Sequence, residues 1–501
     1  MDSDEPGDDP SIPTTPAEWT NWTDWPEPSM QVRPLRRSRI GRWIAIVVVV
    51  ALIAGGVAFV ASRSEDDDAP SAWDPRIADL ADFVEDERGL AFEHPVISEF
   101  LGEDDFRKKV TNNEELTQED RDEIHHYEGL FRALGLVEGE LDLVQSMNQL
   151  AGETVLGLYD PDTKTVFIRG KTITPEMRPT IVHELTHALQ DQHYDLSLEL
   201  HPSGQDGAYR ALFEADALRI EEKYEETLTD EERAAIDAAE NTLREDADLE
   251  GIPEVLTELF AMPYVLGPPF VEALVRERGN DGVDEAFKKR PTSEEQIANP
   301  EAYFSGDNPS KVPTPKLRSG EKKVGDADDF GMVSLLLVLG ERLPFPQAWT
   351  AVQGWKGDAS IGYRLDGRDC IRDRTELDSK VDADELESAL REWGEGRHTT
   401  TTRVSPRTVV FSSCDPGADA PSTATPGRPR TFSLLALRTQ LVAVLTDEGL
   451  PPPSAACVAD DVLRTHDPAK LLELDTITEA NDPRVIAIQR DVAASVQRCT
   501  T

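Results

Sequence analysis

His183-Glu184-Leu185-Thr186-His187 is the segment of this 501-residue chain whose residue types and spacing could do chemistry. On a helix, positions i and i+4 project from one face a turn apart, so the two imidazoles can offer nitrogens to a single cation. Glu184 lies about 100° round the helix from His183, near enough to reach a water on that cation without becoming a ligand. With nine histidines in the chain, the pattern is expected by chance on the order of 0.02 times. The spacing therefore points to hydrolysis by a metal-activated water, with Glu184 as general base. The plain alternative is two solvated histidines beside an ordinary glutamate. No GxSxG elbow offers a serine nucleophile.

The surrounding residues must make the helix that this chemistry needs. Residues 179–192 contain no glycine or proline after the first position, and Thr174-Pro175 supplies an N-cap and first-turn proline. Just before them, 155–159 and 165–168 are β-rich runs around Asp160-Pro161-Asp162-Thr163-Lys164, which predicts a hairpin. Residues 207–226 read as a second helix with Tyr209, Leu212, Phe213, Ala217 and Ile220 on one side. Further helices are expected from Ile77, over 143–150, 231–244 and 254–275, and a strand within 91–100. The proline-rich stretch 290–317 reads as an irregular wrap, 330–410 as mixed helix and strand, 415–430 as a linker, and 432–499 as a small helical module.

Through His183-Glu184-Leu185-Thr186-His187-Ala188-Leu189-Gln190-Asp191 the chain resembles the gluzincins, the thermolysin-like zinc metallopeptidases, of the extracytoplasmic bacterial kind. The likeness runs from 134 to 218 and leaves most of the chain uncovered. It implies one zinc ion per chain and a third ligand from a later helix. Glu214-Ala215-Asp216-Ala217 is similar to the family's Glu-Gly-x-Ala element, with alanine for glycine, which makes Glu214 that ligand. Asp216, on nearly the opposite helical face, is not expected to join it. The resemblance further implies a protein or peptide substrate paired along the hairpin's edge strand. Zinc would lower the pKa of its water toward ~7 while Glu184 moves the proton to the leaving nitrogen. Tyr264 is the candidate oxyanion donor, although a packed helix-end tyrosine explains it as well. Asp191, four residues after His187, is the candidate to orient a ligand histidine from behind. His125, His126, His193 and His201 read as bystanders.

Residues 43–62 run twenty positions without a charge, the length a helix needs to cross ~30 Å of hydrocarbon. Arg33, Arg36, Arg37, Arg39 and Arg42 precede them and Glu65, Asp66, Asp67 and Asp68 follow. The positive-inside rule then puts residues 1–42 in the cytoplasm as a disordered tail and everything after the span outside. A signal peptide cleaved at Val60-Ala61-Ser62 is the competing reading, against which the long leader argues. With 97 acidic and 51 basic side chains, the net charge of -46 excludes nucleic acid as a natural partner. Cys370, Cys414, Cys457 and Cys499 suit an oxidising compartment. Of three connectivities, Cys370–Cys414 and Cys457–Cys499 follow from their order and the composition break between them.

The expected architecture is α+β and helix-dominated. After an acidic linker over 63–75, a zincin-like catalytic domain with a small β-sheet spans 76–414. The linker 415–430 and a disulfide-bonded helical C-terminal module over 431–501 follow. The expected activity is a membrane-anchored zinc peptidase. The alternative is a non-catalytic envelope binding or scaffold protein that keeps the fold, and the sequence sets no oligomeric state.

Overall fold

The computed structural model describes residues 69–111, 117–196, 204–420, 431–473 and 482–500. The expected tail (1–42) and membrane span (43–62), most of the 415–430 linker, and His201 lie outside the described residues.

The described chain is α+β, rich in helix, with two small sheets. It opens with α1 (Ala78–Arg88), β1 (Ile97–Leu101), α2 (Glu103–Val110), α3 (Gln118–Leu134) and α4 (Leu143–Thr154). The expected hairpin forms as β2 (Gly157–Asp160) and β3 (Thr165–Arg169). β3 is the middle strand of a three-stranded sheet, parallel to β1 and antiparallel to β2, so β2 takes an edge. Thr174 makes no side-chain cap; Pro175–Met177 form a 3-10 turn instead, and α5 starts behind it at Arg178–Tyr194. A proline within the first turn costs little because its missing N–H has no intrahelical partner there.

Next come α6 (Gly204–Thr227), α7 (Asp230–Asp246), α8 (Glu254–Arg278) and α9 (Asn280–Lys288). Two short helices, α10 (Glu294–Ala298) and α11 (Pro300–Ser305), interrupt the stretch expected to be wholly irregular. Then follow β4 (Lys322–Asp328), α12 (Met332–Gly340), α13 (Phe345–Val352), β5 (Trp355–Leu365), β6 (Arg368–Leu377), α14 (Lys380–Trp393), β7 (Thr399–Ser405) and β8 (Thr408–Cys414). These strands form an antiparallel sheet in the order β4-β5-β6-β8-β7. Cys370 and Cys414 face each other across β6 and β8 and are bridged. Among the described residues, four helices follow: α15 (Thr431–Asp447), α16 (Pro452–Thr465), α17 (Pro468–Glu473) and α18 (Pro483–Cys499), with Cys457 bridged to Cys499.

Packing rather than sequence order divides the interior. Ile77, Leu80 and Val84 of the first helical stretch meet Val166 and Ile168 of β3, Ile181, Leu185 and Leu189 of α5, and Ile220 of α6. A second cluster joins α2, α4, Leu158 of β2 and Phe167 of β3 to Phe260 and Tyr264 of α8. The largest core takes α6, α8 and the five-stranded sheet together with Phe432, Leu435, Val458 and Val462 of the C-terminal helices. Those helices thus share the main core; the disulfide ties α16 to α18 within it. Among the described residues, α8 is long and apolar enough to cross a membrane, but it is mostly buried in protein.

Candidate metal centre

Every side chain of α5 from Pro179 to Asp191 is buried, because the helix is enclosed on all sides. Ile181, Val182, Leu185, Ala188 and Leu189 recur at helical spacing and face the α1 and β3 side. That packing sets the rotation of the helix and turns His183 and His187 toward α6. Their Nε2 atoms lie 3.0 Å apart. Glu214 Oε2 of α6 stands 3.4 Å from the first and 3.2 Å from the second.

A triangle with these edges has a circumradius of about 1.9 Å, so a point about 2.0–2.1 Å from all three atoms exists just outside its plane, as tetrahedral zinc requires. Among the described residues this is the group of histidine, cysteine and carboxylate atoms close enough to share an ion.

The far side of each ring decides which nitrogen faces the centre. His183 Nδ1 is 3.0 Å from Glu221 Oε2, an atom that can only accept, so the proton sits on Nδ1. His187 Nδ1 is 3.0 Å from Gln190 Oε1. The orientation of that amide is set by its Nε2, which donates to the Phe213 carbonyl and to Asp216 Oδ2, both at 3.0 Å. With both Nδ1 atoms acting as donors, the two Nε2 lone pairs and a carboxylate oxygen converge on one point. Only a cation or a proton can sit there. Burial disfavours a charged His183, but the carboxylates of Glu214 and Glu221 outweigh it and push its pKa up to about 10. Burial likewise opposes ionisation of Glu214, yet His187, His183 and Arg210 hold its carboxyl well below the ordinary range.

Glu184 Oε2 accepts the outward-facing amide of Tyr159 on β2 at 2.6 Å, while its buried Oε1 has no partner. Burial raises its pKa against the pull of the two histidines. Gly157 is required beside it: a Cβ there would lie 2.8 Å from Glu184 Cγ and 2.9 Å from Thr180 Cγ2.

Tyr264 of α8 reaches the same centre, its ring centroid 6.3 Å from that of His183. Its buried hydroxyl lies beside the Glu214 carboxylate. Burial, then the Glu214 carboxylate, drive its pKa well above that of an ordinary phenol, so it remains a donor.

Asp191, expected to stand behind one of the two histidines, is bonded elsewhere. Its Oδ2 accepts Tyr159 Oη at 2.5 Å and Lys164 Nζ at 2.8 Å, and its Oδ1 accepts the Leu196 amide, so it fastens the hairpin and the following loop to α5. The geometric reason is local: at i+4 from His187 the carboxylate points past the end of the ring toward β2 and β3. The orienting roles belong instead to Gln190 and Glu221, neither of which was singled out from the sequence. A signal for both existed, since Gln190 is three residues from His187 and Glu221 seven from Glu214, each on the same helical face as its neighbour. Asp216, excluded as a ligand, stands behind Gln190. His193 meets the Ala91 carbonyl, His125 meets Glu128 and His126 meets Asp369, all away from the centre.

The centre is closed. His183, Glu184 and Glu214 have no exposed surface and His187 is 3% exposed. The edge of β2 expected to receive a peptide has its Tyr159 amide taken by Glu184. Phe260 and Tyr264 of α8 pack in one cluster with Leu158 of the same strand.

No family model matches the chain, and comparison with curated proteins and with solved structures returned no match.

Proposed function

We propose that this chain is a zinc-dependent peptidase, held at the outer face of a membrane by residues 43–62, with His183, His187 and Glu214 as the metal ligands. The observation that carries this reading is the convergence of two Nε2 atoms and one carboxylate oxygen within 3.0–3.4 Å, with both Nδ1 atoms engaged from behind. Two neutral imidazoles and one carboxylate are a donor set that suits zinc and leaves a fourth position open.

A zinc ion held by His183, His187 and Glu214 would supply the Lewis acidity that acidifies a water and polarises a peptide carbonyl. The unpartnered Oε1 of Glu184 would take one proton from the water as its oxygen bonds to the carbonyl carbon and deliver it to the amide nitrogen as the C–N bond breaks, a transfer eased by the raised pKa. The Tyr159 amide holds the other oxygen and so fixes the direction in which the base points. The Tyr264 phenol donates to the oxygen on which negative charge develops. A polypeptide reaches these groups only after α8 and β2 part, so opening of that seam precedes hydrolysis.

The test is metal analysis of the purified full chain together with digestion of a peptide library. One zinc per chain is expected. Glu184→Gln should keep the zinc and lose roughly 10²–10⁴-fold in hydrolysis. A folded chain that takes up no zinc sinks the proposal.

A further inference from the structure

The contacts behind His187 do not stop at Gln190. Asp216 Oδ2, which receives the Gln190 amide at 3.0 Å, also accepts Arg88 Nε at 2.7 Å, and neither charged side chain has exposed surface. Arg88 is the last residue of α1, the helix that follows the membrane-side linker. Its other arm pairs with Asp284 of α9 at 2.7 Å. Asn280 Nδ2 donates to the Glu87 and Arg88 carbonyls and so clamps the end of α1 in place. Arg219 holds the remaining oxygen of Asp216 at 2.8 Å.

We infer that Arg88 and Asp216 are positioning residues for the metal centre, acting through Gln190 to keep the His187 proton on Nδ1 and its Nε2 free for the ion. The inference rests on the metal-site reading above. Its physical basis is that a glutamine amide has two faces of similar shape and opposite function. With its NH2 group toward His187, the amide would need an acceptor on Nδ1, the ring would carry its proton on Nε2, and the ligand atom would be lost. Two acceptors on the far side, the Phe213 carbonyl and Asp216, exclude that orientation. Asp216 can stay a buried acceptor only because Arg88 and Arg219 neutralise it. Partners behind a ligand histidine typically contribute 10–100-fold to metal affinity.

One consequence concerns α1. It is not a removable cover over the catalytic helix: it delivers a buried charge that the ligand set depends on.

The experiment is zinc affinity of the full chain by competition with a chromophoric chelator, with the melting temperature of the metal-free form measured in parallel. Wild-type binding is the control for the site itself; no zinc there refutes the peptidase reading before this one is reached. Gln190→Met is expected to weaken zinc roughly 10–100-fold with the metal-free melting temperature nearly unchanged. Arg88→Met alone would strand a buried Asp216, so the paired change Arg88→Met/Asp216→Leu removes both buried charges; Arg219 keeps its bond to Asn280, Asp284 is partly exposed, and the metal-free melting temperature reports whether the variant is folded. It is expected to weaken zinc by about the same factor as Gln190→Met, and to add nothing on a Gln190→Met background. Zinc affinity within twofold of wild type in the folded paired variant, or full additivity with Gln190→Met, overturns the inference.

Discussion

On the proposed reading, Tyr264 and Glu184 would divide the work at the centre by the state in which burial holds them. The phenol is kept protonated by its surroundings, and burial raises the pKa of the carboxyl. Tyr264→Phe removes a donor aimed at developing charge, so kcat is expected to fall roughly 10²-fold or more while zinc affinity stays put. Equal rates for the two chains would remove Tyr264 from the mechanism. A second buried carboxyl makes a prediction away from the centre. Glu294 of α10 has an unpartnered oxygen, and burial with Asp329 and Asp358 nearby pushes its pKa from 4.5 up to about 8. Between those values the folded chain holds a proton that the unfolded chain has released. Its contribution to stability is therefore complete below the lower value and lost as pH rises through the upper. The melting temperature should accordingly decline from pH 6 to pH 8, and Glu294→Gln should flatten that slope and raise the value at pH 8.

At the scale of elements, the contact that sets the site is α6 against α8. A Cβ on Gly267 would lie 2.2 Å from the Ala211 carbonyl oxygen and 2.7 Å from Ala215 Cβ, so the helices meet backbone to backbone. Ala215 of α6 is accommodated because Gly267 on the facing helix carries no side chain. Gly267→Ala is expected to cost about 1–3 kcal/mol by overpacking. Because Tyr264 lies one turn earlier on α8, the same change should also lower activity while leaving zinc bound. Urea unfolding and a zinc titration on one preparation separate the two effects. A stability equal to that of wild type would show that the helices can slide apart at no cost. The seam between α8 and β2 belongs to this scale as well, since Phe260, Tyr264 and Leu158 share the cluster that closes the centre.

For the molecule as a whole, the disulfides mark where chain entropy is restrained. Cys457 and Cys499 are separated by 42 residues and join α16 to α18, while 474–481 between them lie outside the described residues. A loop of that length corresponds to about 4 kcal/mol in the chain-entropy account, with 2–4 kcal/mol the usual yield. Cys457→Ser/Cys499→Ser should therefore lower stability by about 2–4 kcal/mol in guanidinium unfolding. Since Phe432, Leu435 and Val458 belong to the same core as α8, the loss should appear in one unfolding step shared with the helices around the candidate metal centre. A separate early transition would show instead that the C-terminal helices unfold as a module of their own.

Local pattern alone pointed to the hairpin, the α5, α6, α7 and α8 helices and the two histidines one turn apart, and the order of the cysteines favoured the two pairings that form, because each depends on spacing along one element or on order along the chain. The likeness to gluzincins supplied the pairing of Glu214 with the histidines, which lie on a different helix. Tertiary structure decided what stands behind the two histidines. Gln190 and Glu221 face their histidines only because α5 and α6 pack at one particular rotation, whereas Asp191 at an equally suggestive spacing is drawn off to Tyr159 and Lys164. Arg88 lies 128 residues before its partner Asp216, a separation over which no periodicity carries information. Burial of the centre is likewise a property of three packed cores, and a linear chain has no inside until those cores form.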